Sequence, residues 1–194
     1  LLLLDDSNIR SLAGDVELSV DSAMRAMATA KLSGHVRTQV ASAINLSHLL
    51  CELGDFDRAL HYVAEGLNAS GGNLHLRLAA LDSRANILLS RGDCDGCAAV
   101  IEEISTHIAG ERGRLHWDEL TEASSRARLA QARGLWKDAI RELSDGVRLA
   151  SACGDALWNS RMRLSRSRCF SRIGQYSSAA EDVIQSRLVD RIDV

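Results

Sequence analysis

A short sequence pattern recurs five times along this 194-residue chain at a nearly constant interval. Its fixed point is a glycine, and successive copies lie 40, 38, 42 and 40 residues apart. The five glycines are Gly14, Gly54, Gly92, Gly134 and Gly174. Self-similarity at such an interval is typical of helical arrays in which each repeat is one supersecondary unit. The recurrence therefore predicts a stack of similar units rather than one irregular core.

Residue types at fixed distances from each glycine predict two helices that meet at a turn. A glycine adopts the left-handed backbone that ends a helix, and an aspartate after it can cap the next helix. Aspartates follow the first three glycines, at Asp15, Asp55 and Asp93. A mostly bulky residue comes two positions after each glycine, and a small residue that lets helices approach closely comes five positions after. The first column holds Val16, Phe56, Cys94, Trp136 and Tyr176, and the second holds Ser19, Ala59, Cys97, Ala139 and Ala179.

A second set of glycines separates each unit from the next, at Gly34, Gly71, Gly72, Gly110 and Gly154. The chain has no proline and no alternating strand pattern, so we predict an all-α protein. The ten predicted helices cover 1–13, 16–32, 36–53, 56–69, 73–91, 94–109, 114–133, 136–152, 155–173 and 176–190. They form one predicted array of five repeats, over about 1–33, 34–71, 72–110, 111–153 and 154–194.

The spacing within the second and fourth units resembles the tetratricopeptide repeat (TPR). The second unit carries Ser47, Leu50, Gly54, Phe56, Ala59 and Val63, and the fourth carries Ala127, Gly134, Trp136, Ala139 and Leu143. The resemblance covers essentially the whole chain. It implies an α-α superhelix, a TPR-like solenoid in which the first helix of each pair lines a concave face. The chain departs from the standard repeat in its period of about 40 rather than 34 residues, and in lacking a closing proline.

The long period is similar to that of arrays in large bacterial signalling and transcription regulators. The resemblance therefore implies a non-catalytic scaffold that binds a peptide or a partner domain in its concave groove. The partner is expected to be another protein or another domain of the parent chain. Residues 1–4 are all leucine and no initiator methionine is present, so we expect a piece of a longer protein. The five cysteines are an odd and sparse set, which favours the reducing cytoplasm.

Register within the TPR pattern places one set of first-helix side chains in the groove, namely His48, Asn86, Arg128, Arg161, Arg168 and Arg172. The four arginines all lie in residues 111–194, which carry a net charge of +3, whereas residues 1–110 carry −6. Guanidinium groups bind carboxylates through paired hydrogen bonds, so the expected ligand is an acidic peptide segment. The alternative is that the five arginines of helix 155–173 form a solvated face, or a face that Glu181 and Asp182 on the next helix neutralise.

Three arginines and the three tryptophans carry further structural expectations. Three arginines align eight positions before the turn glycine, where TPR proteins usually carry an apolar residue, and we expect a ladder with acids on adjacent helices. These are Arg84, Arg126 and Arg166. We expect Trp136 to pack in the core, and Trp117 and Trp158 to line the groove or the seam between repeats.

No residue pattern indicates catalysis, a cofactor or a metal site. Cys94 and Cys97 form a Cys-x-x-Cys, but both fall in packing columns, so we expect them to pack as small apolar residues rather than to form half of a zinc site. His-Glu-x-x-His and phosphate-loop patterns are absent. The mildly basic second half falls well short of the strongly basic face of a nucleic-acid binder, and no apolar run is long enough to cross a membrane.

Two other functions stay open on the sequence alone. A groove containing Arg128, Arg168 and either Trp117 or Trp158 would suit an anionic metabolite or a signalling peptide, which would make the chain a sensor. The apolar residues at both ends would suit self-assembly, as in a homodimer.

Overall fold

Helices account for every regular element that the structure describes. The structure is a computed structural model that describes residues 2–110 and 116–189, with side chains over 3–110 and 116–187. The helices are α1 (Leu2–Ala13), α2 (Val16–Ser33), α3 (Val36–Glu52), α4 (Phe56–Ser70), α5 (Leu74–Arg91), α6 (Cys94–Ala109), α7 (His116–Ala132), α8 (Trp136–Cys153), α9 (Ala156–Arg172) and α10 (Tyr176–Val189). The all-α prediction is confirmed, and the predicted helix bounds agree to within two residues. The predicted helix ends at 1, 114 and 190 lie outside the described residues.

The turn inside each helix pair takes the backbone that its glycine predicts. All five turn glycines have φ between +72° and +86°. At Gly54 the next residue closes the turn, because the amide of Asp55 donates to the carbonyl of Leu50 at 2.9 Å. The side chain of Asp55 then caps α4 by accepting from the Arg58 amide at 3.3 Å.

The predicted aspartate caps form at two of the three positions. Besides Asp55, Asp93 accepts a hydrogen bond from the Gly96 amide at 2.8 Å at the start of α6. The prediction is wrong for Asp15, whose side chain makes no cap hydrogen bond to α2. In that turn the closing interaction is a backbone one, since the Asp15 amide donates to the Arg10 carbonyl at 2.9 Å.

The chain divides into two compact units, residues 1–100 and residues 101–194. In the first unit α1, α2, α3, α4 and α5 pack in sequence, and α3 also packs against α5. In the second unit α7, α8, α9 and α10 pack in sequence, and α7 also packs against α9. Within each unit, therefore, first helices of consecutive pairs lie side by side in one layer. A superhelix running through both units stays a prediction.

Small residues bring the paired helices together at the core of each unit. Ala59 and Ala139 are fully buried, and Ala179 retains 6% exposure. Bulky residues beside them cover the core: Phe56 packs on the cluster around Leu46 and Val63, and Trp136 packs on the cluster around Leu143 and Met162, each as a half-buried side chain.

Tyr176 does not take the packed position that its column predicts. It begins α10 and leaves 71% of its surface exposed. The equivalent Trp136 is covered because α9 packs against α8, whereas no helix follows α10 among the described residues. Burial of this column thus depends on the next helix pair.

We expect Gly54→Ala to lower the free energy of unfolding by about 1–2 kcal/mol, because a Cβ disfavours the left-handed backbone at φ +78°. No atom lies within 4 Å of the added Cβ, so the cost is purely conformational. The matched control is Gly72→Ala, which also meets open space but lacks a positive φ. Thermal unfolding followed by circular dichroism measures both, and equal melting temperatures for the two variants would contradict the turn assignment.

Candidate functional site

One face of α9 in the second unit presents alternating cations and leucines to solvent. Leu157, Arg161, Leu164, Arg168 and Arg172 follow one another at intervals of four, three, four and four residues, which is the spacing of a single helical face. All five are exposed, and the leucines leave 62% and 40% of their surface uncovered. We call these five residues the basic stripe.

The arginines of the basic stripe differ in what they contact. Arg172 lies over the ring of Trp136, with its guanidinium carbon 5.7 Å from the ring centroid. Arg161 and Arg168 make no hydrogen bond or ion pair with any residue in the described part of the chain. Within the described residues, therefore, no bond has to break before these two guanidinium groups meet an incoming carboxylate.

Helix α7 packs against α9 and carries an exposed aromatic side chain. Trp117 is 42% exposed and meets Trp158 edge to face, with ring centroids 6.4 Å apart. Arg128 is half-buried on the same helix and donates from Nη2 to the Ser125 hydroxyl at 3.0 Å. Because α7 packs against α9, these side chains belong to the same unit as the basic stripe.

The two other predicted groove residues lie in the first unit. His48 is exposed and lines a polar pocket of about 190 Å³ between α1 and α3, together with Asn8 and Asn45. The Asn45 amide donates to Asn8 Oδ1 at 2.8 Å across that pocket. Asn86 is half-buried and donates to Asp82 at 3.3 Å. A continuous groove joining these residues to the arginines stays a prediction.

Two other arginines of α9 are neutralised inside the protein. Arg166 donates twice to the Asp182 carboxylate, with both N–O distances at 2.7 Å, and Arg163 donates to the same group at 3.2 Å. Asp182 is only 2% exposed. The alternative of a neutralised arginine face is therefore correct for this pair, whereas the exposed Glu181 forms no ion pair with any described residue.

Two of the three arginines in the aligned column donate a hydrogen bond to a neighbouring helix. Arg166 donates to the Ser144 hydroxyl on α8 at 2.9 Å, and Arg126 donates to the Ser105 hydroxyl on α6 at the same distance. Arg84 is exposed and makes no such bond within the described residues. The expected contact with an acid on an adjacent helix forms at Arg166, which binds Asp182 on α10, whereas Arg126 pairs with Glu122 of its own helix at 2.9 Å. The two serines add neutral links to the preceding helix. Those serines occupy no regular column, which is why the sequence pattern did not reveal them.

The cysteines are all free thiols. Cys97 is fully buried and Cys94 half-buried, as packing residues would be. Burial raises the pKa of the Cys169 thiol, although the Gln131 amide donates to its Sγ at 3.1 Å and acts in the opposite direction. The described residues contain no group of three or more His, Cys, Asp or Glu side chains that could hold a metal ion. None of their helices is both long and apolar enough to cross a membrane.

Solved structures resemble this chain along nearly its whole length. The nearly identical TPR-like repeats of a kinesin light chain candidate from Podosopora anserina superpose with a TM-score of 0.64 at 17% identity, covering 97% of this chain and 93% of that one. The chain has a TPR-like helical fold. At this identity the likeness establishes the fold alone.

Two Rap structures share this TPR-like architecture. A Rap protein complexed with Competence and Sporulation Factor has a TM-score of 0.70 at 13% identity, with coverage of 97% of this chain and 63% of that protein. The apo form of RapI has a TM-score of 0.62 at 11% identity, with coverage of 97% and 82%. No family model matches the sequence, and no curated protein matches it either.

We expect Asp182→Asn to lower the free energy of unfolding by about 3 kcal/mol, because it leaves two largely buried guanidinium groups without a counter-charge. The matched control is Asp145→Asn, which breaks the Asp145–Arg148 pair on the surface of α8 and should cost under about 1 kcal/mol. Urea unfolding followed by circular dichroism measures both. Equal costs would show that the buried pair contributes no more than a surface one.

Native alkylation should modify Cys153 first, because it is exposed, and should spare Cys97 and Cys169, which have no exposed surface. The raised pKa of Cys169 further slows its reaction, since the thiolate is the nucleophile. Peptide mass spectrometry after a timed iodoacetamide pulse measures the order, with a urea-unfolded sample as the control in which all five thiols react. Rapid modification of both Cys94 and Cys97 in the native sample would refute their packing role.

Proposed function

We propose that this chain is a non-catalytic recognition module that binds an acidic segment of a partner protein along the basic stripe. The observation that carries the proposal is the pair Arg161 and Arg168, which are exposed and make no bond to described residues. Natural proteins commonly satisfy surface arginines with neighbouring acids, as this chain does at Arg141 and Arg148. Two arginines left uncompensated on one face favour an external carboxylate.

The two exposed leucines of the basic stripe indicate that the ligand also carries apolar residues. Leu157 and Leu164 are separated by seven residues, as are Arg161 and Arg168, so apolar and charged positions alternate along the helix axis. A matching ligand carries apolar residues and acids at similar intervals, which is the pattern of an amphipathic helix. Burial of the leucines supplies affinity, while the arginine–carboxylate bonds set register and specificity.

The wider context of the proposal is a regulatory one. We place the chain in a larger cytoplasmic bacterial signalling or transcription regulator, where the partner is another protein or another domain of the parent chain. The similarity to Rap structures supports this context, because one Rap protein was solved in complex with Competence and Sporulation Factor.

The Rap likeness also favours a second candidate function, a sensor that binds a small molecule or a signalling peptide. In that case the exposed Trp117 and the half-buried Arg128 would contribute, since both lie on α7 beside α9. A third candidate, self-assembly, is favoured by exposed apolar residues near the ends of the array, with Leu12 at 90% and Tyr176 at 71% exposure.

We expect the double variant Arg161→Ala, Arg168→Ala to weaken partner binding by roughly tenfold or more, because two charge-assisted hydrogen bonds are lost. A partner is first captured from a bacterial lysate on the wild-type chain, and its binding segment is then made as a peptide and titrated calorimetrically. The matched control is Arg141→Ala, Arg148→Ala, which removes two exposed arginines from α8.

The same titration at low and high salt gives an independent check. Binding through the basic stripe should weaken as salt rises, because exposed ion pairs are screened. Equal affinity of both double variants for the peptide would refute the site while leaving the recognition function standing. A captured segment without acidic residues would refute the proposed ligand chemistry.

A further inference from the structure

One position of the repeat changes from apolar to charged in the last helix pair. The residue eleven positions before the turn glycine is Leu3, Ala43, Leu81 and Ala123 in the first four repeats, but Arg163 in the fifth. Ala43 and Leu81 have no exposed surface. Arg163 exposes only 22% of its side chain. A guanidinium group therefore occupies a position where the repeat otherwise places an apolar packing residue.

Neighbouring side chains hold this guanidinium in place. Its Nε donates to Asn159 Oδ1 at 2.7 Å, and its Nη1 donates to Asp182 Oδ1 at 3.2 Å. Asn159 is itself fixed, because it is 7% exposed and its amide donates to the Ser151 hydroxyl at 2.6 Å. The remaining nitrogen, Nη2, makes no hydrogen bond to any residue in the described ranges. The guanidinium group of Arg163 is thus held in one orientation, and its Nη2 can donate to a ligand.

The charges around Arg163 do not balance. Asp182 already accepts two hydrogen bonds from Arg166, so one buried carboxylate serves two guanidinium groups. A buried ion pair is seldom more stable than apolar residues of similar size, and an unmatched buried charge is costly. Departures of this kind from the local pattern of a fold are expected at functional sites. Among the described residues this pair of guanidinium groups shares a single carboxylate, and a ligand could supply the second negative charge.

A pocket of about 300 Å³ lies beside Arg163, between the end of α8, the start of α9 and α10. Its polar lining comprises Ser151, Asp155, Asn159, Arg163 and Gln185. This volume is at the lower end for ligand sites, so the pocket accommodates a metabolite rather than a folded segment.

Asp155 sets the charge of the pocket's other end. It lies eight residues before Arg163, so the Cα atoms of the two residues are about 12 Å apart along the helix axis. Its Oδ1 accepts from the Trp158 amide at 3.0 Å, and its Oδ2 lies 3.9 Å from Nε2 of His116. A carboxylate here repels a doubly charged phosphate but attracts an ammonium group.

We propose that this pocket binds a small zwitterion, an amino acid or a related amino-carboxylate. Its carboxylate would bond to Arg163 and its ammonium group would face Asp155, while the side-chain amides of Asn159 and Gln185 line the space between. The site is separate from the basic stripe, because Arg161 and Arg163 are two positions apart and so point to nearly opposite sides of α9. A test of the zwitterion site therefore neither supports nor refutes the proposed peptide site.

The first test is a titration of the isotopically labelled chain followed by nuclear magnetic resonance. The probes are glycine, 4-aminobutyrate and 6-aminohexanoate, which separate the two charges by increasing lengths. Three controls each carry one kind of charge: hexanoate has a carboxylate, hexylamine has an ammonium group, and inorganic phosphate is an anion without an ammonium group. We expect at least one amino-carboxylate to shift the side-chain amide signals of Asn159 and Gln185, and to bind roughly tenfold more tightly than hexanoate or hexylamine.

The second test replaces Arg163 with the residue type of an earlier repeat. Arg163→Leu copies Leu81 and leaves Asp182 both of its bonds from Arg166, so the melting temperature should stay equal or rise while binding is lost. The matched control is Arg148→Leu on the exposed face of α8, which should bind as the wild type does.

Asp155→Asn examines the other end of the pocket, since asparagine caps a helix as well as aspartate does. This variant should weaken binding of the amino-carboxylate but not that of hexanoate, because it removes a negative charge from the pocket. The proposal is overturned if no probe shifts these signals at concentrations of roughly 10 mM. It is equally overturned if phosphate or hexanoate binds as tightly as the amino-carboxylates, or if Arg163→Leu markedly lowers the melting temperature.

Discussion

Close contact between paired helices is the constraint on which the structure depends, and a left-handed glycine makes that contact possible. Each turn glycine reverses the chain within a few residues, so the two helices of a pair must lie against each other. Small residues such as Ala59 and Ala139 then sit at the point of contact with no exposed surface. Larger side chains at these positions would separate the helices and open the core.

The packing of second helices on the following first helices has a functional consequence. It places the first helices side by side in one layer, so that their outward faces form a common surface within each unit. In the second unit that surface carries arginines and leucines rather than a neutral polar mixture. The exposed charge belongs mainly to α9, because the α7 positions equivalent to Arg161 and Arg172 hold Thr121 and Ala132.

Helix α9 shows how one helix can have two electrostatic roles. Arg161 and Arg168 face solvent, whereas Arg163 and Arg166 turn toward α10 and share the buried Asp182. The outward arginines contribute little to stability, because they are exposed and pair with none of the described residues. The inward pair is tied to the fold, and its excess charge beside a pocket distinguishes the last repeat from the others.

The sequence by itself determined the helices, their bounds and the glycine turns, because these depend on residues close together in the chain. It also placed the small residues at the helix contacts, since their column is set by the helical period. Only the tertiary structure decided which arginines are neutralised, because the serines and the aspartate that bind them lie on other helices. It likewise decided that Phe56 and Trp136 are covered and Tyr176 is not, since that burial depends on the following helix pair.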